Sequence, residues 1–166
     1  MKITILGLGN ILLGDEGFGI HAVRKLKEKE IPGVKIIDGG TLGLYLINFL
    51  RDTTHLLIID AIKSNQKPGT IVILDGRDIK ADSGIRFTSH DVSLPDLLTT
   101  MELLGYHLKE IRLIGVVPER IEPTTDLSPS SKGAMERVME LVIRTVNEWK
   151  GGENVSGSSR KGDRGI

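Results

Sequence analysis

Short apolar runs alternate with segments whose apolar residues recur every three or four positions along most of the chain. Ile3 to Leu8 is rich in β-branched residues and meets glycines at 7 and 9, after which Ile20, Val23 and Leu26 recur at helical spacing among charges, which predicts strand, loop and helix. Pro32 and Gly33 end that helix. Val34 to Ile37 reads as a second strand halting at the turn cluster Asp38-Gly39-Gly40-Thr41, and Leu46, Ile47 and Leu50 mark a short helix. Leu56 to Ile59 is uninterrupted and ends at Asp60, the pattern of a central strand covered on both faces. The next run, Thr70 to Leu74, begins just past the Lys67-Pro68-Gly69 turn. That is too soon for a helical crossover, so an antiparallel strand is expected there.

A polar loop from Asp75 to Asp91 precedes Ser93 and Pro95, which suit the start of a helix with Leu97, Leu98, Met101 and Leu104 on one face and Gly105 as its stop. Ile111 to Val117 is the last strand. Ser128-Pro129 opens a final helix whose apolar face is Met135, Val138, Met139, Val142, Val146 and Trp149. From Gly151 the chain turns to Gly and Ser at eight of sixteen positions, which predicts a disordered tail over 151–166. The alternation points to a single α/β domain over residues 1–150: a three-layer α/β/α sandwich with a mostly parallel, mixed five-stranded sheet.

The 166 residues suffice for one domain with its own core. Lysine plus arginine equal aspartate plus glutamate at 22 each, so no general nucleic-acid or polybasic membrane binder is expected. No cysteine is present, which removes disulfides, thiol nucleophiles, Cys-ligated zinc and iron–sulfur clusters; metal chemistry would use oxygen and imidazole. No apolar run approaches the ~20 residues of a membrane span, and a soluble, cytoplasmic protein is expected.

In such sheets ligands bind beyond the carboxyl ends of the strands, and here those positions are acidic. Gly9 and Gly14 have the Walker separation, yet Asp15 and Glu16 stand where a phosphate loop needs Lys and a hydroxyl. Gly7-Leu8-Gly9 is followed by Leu12 where a dinucleotide fingerprint needs a third glycine, so nucleotide binding is disfavoured. Asp15 reads as a cap on the first turn of the following helix. Glu16 is then left over, and its neighbouring glycines would let a metal or peptide approach the backbone. Glu16, Asp60 and His90 all fall at edge positions of the sheet, where two carboxylates and an imidazole can converge on a borderline cation such as nickel or zinc. Ser89, His90 and Asp91 are adjacent and cannot form a serine-protease triad. An HExxH helix is also lacking. His21, His55 and His107 read as packing or surface residues, and Arg24 to Glu30 as a solvated helix face.

Five segments then carry a resemblance: GLGNILLGDEGFG at 7–19, DGGTLG at 38–43, LIIDAI at 57–62, SHDVSLPDLL at 89–98 and LIGVVPERIEPTTDLSP at 113–129. In this order they resemble the [NiFe]-hydrogenase maturation endopeptidases across nearly all of residues 1–150. The resemblance implies an endopeptidase that removes the C-terminal extension from the nickel-loaded precursor of a hydrogenase large subunit, with that precursor as partner. It implies metal contacts from Glu16, Asp60 and His90 to nickel carried by the substrate, and no tightly bound cofactor of the enzyme's own. Asp38 is a candidate acid/base or substrate-positioning carboxylate of an aspartyl-type protease, because cleavage needs proton transfer to the leaving amine; its other reading is a turn-forming Asp before glycines of positive φ. The loop Pro118 to Pro123 either shapes a docking surface or is a rigid connection. A non-catalytic metal-dependent binding or chaperone module for hydrogenase assembly is the alternative function.

Overall fold

The computed structural model describes residues 1–80, 86–87 and 93–158. Five strands, β1 (Ile3–Leu8), β2 (Val34–Gly40), β3 (His55–Lys63), β4 (Ile71–Asp75) and β6 (Glu110–Val116), form one sheet in the order β2-β1-β3-β6-β4, and a short β5 (Arg86–Phe87) pairs with the end of β3. β2, β1, β3 and β6 are mutually parallel. β4 is antiparallel, as its short connection requires, but it passes over β6 and pairs there at the sheet edge. Helices cover both faces: α1 (Phe18–Lys29), α2 (Ile47–Leu50), α3 (Gly76–Lys80), α4 (Leu94–Leu103) and α5 (Pro129–Ser158). The expected three-layer, mixed five-stranded α/β fold is the one observed.

Strand periodicity divides the core in two. Ile3, Ile5, Leu57 and Ile59 point to one face and pack with Phe18 and Val23 of α1 and Val138 and Val142 of α5. Leu6, Leu8, Leu56 and Ile58 point to the other and pack with Leu50 of α2 and Leu97 of α4. Each such fully buried aliphatic side chain contributes roughly 1.5–3 kcal/mol. Neither β1 nor β3 shows polar alternation, because both faces are covered.

Several boundaries differ from expectation. β2 runs on through Asp38 and Gly39 to Gly40, so the expected turn begins only at Thr41. The polar stretch after β4 contains α3, whose start is capped by Asp75: its Oδ1 accepts from the Arg77 and Asp78 amides at 3.0 and 3.1 Å. This Asp-x-x-Asp cap lies in a segment too polar to show an apolar stripe. α5 continues through Ser158, past the Gly151 at which a disordered tail was expected, since extending a formed helix adds one hydrogen bond per residue fixed. Among the described residues no helix is long and apolar enough to cross a membrane.

Candidate active site

The strand order makes the chain leave β1 toward β2 on one side and return to β3 on the other, with α1 and α2 on opposite faces of the sheet. The carboxyl ends of β1 and β3 therefore border the crevice where the connections diverge, the usual ligand position in such sheets. Glu16 lies in the short 3-10 turn Gly14–Gly17 between β1 and α1, and Asp60 lies on β3. Pairing of β1 with β3 stops at Gly7 and Ile59, whereas β3 stays paired with β6 at Asp60–Gly115 and Ala61–Val116. Asp60 is thus inside its strand, not just past it as expected, and is the first β3 residue beyond the reach of β1.

Two glycines bring Glu16 over this edge. At Gly9, φ is 135° and a Cβ would overlap the Glu16 carbonyl; at Gly19 a Cβ would overlap the carbonyls of Leu8 and Ile59. The start of α1 consequently sits on the ends of β1 and β3. The glycines flanking Glu16, expected to admit a ligand, instead face backbone: Gly17 packs on Ile11, and Gly14 on the Arg120 carbonyl.

Glu16 and Asp60 are both fully buried at 0% exposure. A carboxylate in the interior costs several kcal/mol unless donors or a cation match it. The oxygen donors come from separate elements, one loop and one strand. His90, the third expected ligand, lies outside the described residues, as do Ser89 and Asp91. Among the described residues alone, no set of three His, Cys, Asp or Glu side chains is grouped to hold a metal.

Asp38 stands one strand further out. It is in register with Gly7, which on its other side is in register with Ile59, so two strand spacings, about 10 Å, separate Asp38 from the start of the Asp60 crevice. The β1–β2 register shifts directly after this pair, and such irregularities re-aim strand-end side chains. Gly39, expected to need a positive φ, does not have one; it is required because a Cβ would crowd Leu6 and the Gly7 carbonyl, while Gly40 takes the left-handed conformation at φ 49°. Asp38 keeps about a third of its side chain exposed and pairs with Arg24 of α1, Nε to Oδ2 at 3.4 Å. Arg24 belongs to the run read as solvent-facing, and its spacing gave no sign of a strand-end partner.

Asp15 does something other than cap α1, which has no side-chain cap. Its buried carboxylate accepts hydrogen bonds from the Glu119, Arg120 and Ser128 amides at 2.8, 3.1 and 2.8 Å, and from the Ser128 hydroxyl at 2.6 Å. Ser128 in turn caps α5 through the Ser131 amide. Burial alone would raise the Asp15 pKa, but these bonds, led by Ser128, outweigh it and hold the carboxyl below its ordinary value. Backbone bonds from Gly14 to Thr124, Asp15 to Arg120 and Thr124 to Leu12 complete the attachment. The 118–123 segment is thereby tied to the loop that carries Glu16. Only the structure makes this visible, since the partners are more than a hundred residues apart in sequence.

The other histidines match their reading as packing or surface residues. His55 is buried edge-on against Trp149 at 5.3 Å and contacts the Thr54 hydroxyl, and His107 is exposed. His21 is half-buried beside Thr125; burial lowers its pKa, opposed by a hydrogen bond to the Thr125 backbone.

Residues 20–145 match the family model described as hydrogenase maturation protease. The chain is 36% identical to the hydrogenase 2 maturation protease of Escherichia coli K12, over 89% of this chain and 92% of the relative. It is 34% identical to the hydrogenase expression/formation protein HupD of Rhodobacter capsulatus, over 89% and 72%. Its fold superposes on the hydrogenase maturating endopeptidase HybD from E. coli with a TM-score of 0.82 at 36% identity, covering 89% and 93% of the two chains. For the [NiFe] hydrogenase maturation protease HybD from Thermococcus kodakarensis the TM-score is 0.72 at 30% identity, covering 87% and 99%. The chain belongs to the hydrogenase maturation protease family and is a peptidase.

Proposed function

We propose that the protein removes the C-terminal extension from the nickel-loaded precursor of a [NiFe]-hydrogenase large subunit, and that Glu16, Asp60 and His90 recognise the nickel carried by that substrate. The observation that carries this reading is the placement of two fully buried carboxylates, Glu16 and Asp60, at the crevice between β1 and β3 in a chain that has no thiolate to hold a metal of its own. Oxygen donors with one imidazole suit a borderline divalent ion and leave coordination positions to the substrate. The register of about two strand spacings between Asp38 and the start of the Asp60 crevice supports assigning Asp38 to the peptide and not to the ion, with proton transfer to or from the hydrolytic water and leaving amine as its role.

The test is the mass of a precursor before and after incubation with enzyme that has been briefly chelated. The chelated protein is expected to remain folded, to hold well under one equivalent of nickel, and to shorten a nickel-loaded precursor while leaving a metal-free one intact. Chelated enzyme that is inactive on loaded precursor until metal is restored to it would make the protein a conventional metallopeptidase. Stable association with loaded precursor and no cleavage would favour the binding or chaperone alternative.

A further inference from the structure

We infer that the rim of the β1–β3 crevice is an apolar docking surface for the precursor polypeptide, with Leu42, Leu44 and Tyr45 on one flank and Leu12 and Ile121 on the other. The inference rests on the proposed site and concerns how the polypeptide around the metal is held. Leu42, Leu44 and Tyr45 are 50%, 45% and 71% exposed, and Leu12 and Ile121 are 63% and 39% exposed. All five lie in segments that follow carboxyl ends of parallel strands: Leu12 in the loop after β1, Leu42 and the 3-10 turn residues Leu44 and Tyr45 after β2, and Ile121 in the loop after β6. Exposed leucines also occur at the end of α4, where Leu103 is 83% exposed, but that helix end leads into the start of β6 at the opposite edge.

Charge does not compete for this role. Among the described residues two ion pairs of the rim are matched internally, Arg24 with Asp38 and Arg120 with Glu122 at 3.6 Å, and the chain carries no net charge to steer a partner. The Leu12 and Ile121 flank is held rigid by the backbone bonds that join residues 12–15 to 120–124, so little ordering entropy is lost when it is covered. Beneath the opposite flank a small cavity of about 20 Å³ is lined by the buried Leu8, Leu46, Leu94 and Leu97 together with Gly40 and Gly43, so the exposed Leu42–Tyr45 turn rests directly on the core next to the end of β1. Exposed apolar groups gathered at one end of a sheet mark interaction surfaces, and these follow the strand ends that border the crevice a peptidase substrate has to reach. The occupant is therefore an apolar stretch of the precursor chain lying across the crevice.

The experiment measures processing of nickel-loaded precursor by Leu44→Asp and Tyr45→Asp, with Leu103→Asp as control and thermal melts to verify folding. Each rim variant is expected to raise KM, and the directly measured precursor Kd, about tenfold, with kcat at saturation and binding of nickel alone unchanged; Leu103→Asp is expected to match wild type. Unaltered KM and Kd in both rim variants would overturn the docking surface. So would a wild-type dimer that the rim variants convert to monomer without a change in KM, because the covering partner would then be a second copy. Failure of the underlying site is distinguished by Glu16→Gln and Asp60→Asn: if both process precursor at the wild-type rate, the metal-recognition reading fails whatever the rim variants do.

Discussion

Replacing Glu16 with Gln, Asp60 with Asn or His90 with Ala is expected to lower processing of nickel-loaded precursor by at least about 100-fold, equivalent to about 2.7 kcal/mol in the barrier. The two carboxamide changes keep side-chain shape and remove only the charge and the oxygen-donor strength, so they separate ligand chemistry from packing. Glu16 and Asp60 are already fully enclosed, and a neutral isostere there leaves no cavity. Melting temperatures are therefore expected to stay close to wild type. Wild-type rates in two of these three variants, measured on folded protein, would sink the shared site. Asp38→Asn is expected to behave differently: cleavage falls while precursor binding survives, and equal loss of both would make Asp38 part of docking or of the fold.

Asp15→Asn is expected to be the most destabilising change of a single polar residue in the loop that carries Glu16. The carboxylate accepts four hydrogen bonds from three residues, and an amide must turn a donor group toward at least one of those donors. Bonds to a buried charged acceptor are individually worth about 1.5–3 kcal/mol but are not additive in one network, so a loss of about 2–4 kcal/mol is expected, seen as a fall in Tm on the order of 10 °C. Its pH dependence has a definite sign. The folded carboxyl has a lowered pKa, so its contribution is fully present above the unfolded value of about 3.9 and is lost as pH falls through the folded one. The stability gap between wild type and Asp15→Asn is therefore expected to be constant near neutrality and to close progressively below about pH 4. Urea titrations at a series of pH values measure this directly, and a gap that persists unchanged into strong acid would show that the lost stability comes from sterics and not from the charge.

Much of the architecture was legible because it depends on local pattern. The uninterrupted apolar runs of β1 and β3 announced strands covered on both faces, and the periodic leucines and valines of α4 and α5 announced helices packed on them. Glu16 and Asp60 could be picked out because carboxylates are rare among residues destined for burial, and both stood beside apolar runs whose position in an α/β sheet is predictable. What escaped the sequence was determined by distant partners. Asp15 looked like a local cap because helix starts commonly use one, yet its donors lie in the segment before α5. Arg24 is exposed, as its run was read, but helical spacing could not reveal that it pairs with Asp38 near the end of β2. The continuation of β2 through Asp38-Gly39-Gly40 was hidden by glycines, which mark turns far more often than close passage of one backbone over another.

The bonds from Asp15 to residues 119, 120 and 128 span 104, 105 and 113 positions of sequence, which dictates when the crevice can exist during synthesis. A growing chain that has supplied β1, α1 and β3 holds Glu16 and Asp60, but the turn bearing Glu16 lacks its long-range side-chain bonds until the segment leading into α5 has emerged. Closing so long a loop is entropically slow compared with forming the local helices, so the crevice belongs to the last stage of folding. A chain truncated before Ser128 thus lacks the two bonds from that residue that help fix the turn bearing Glu16.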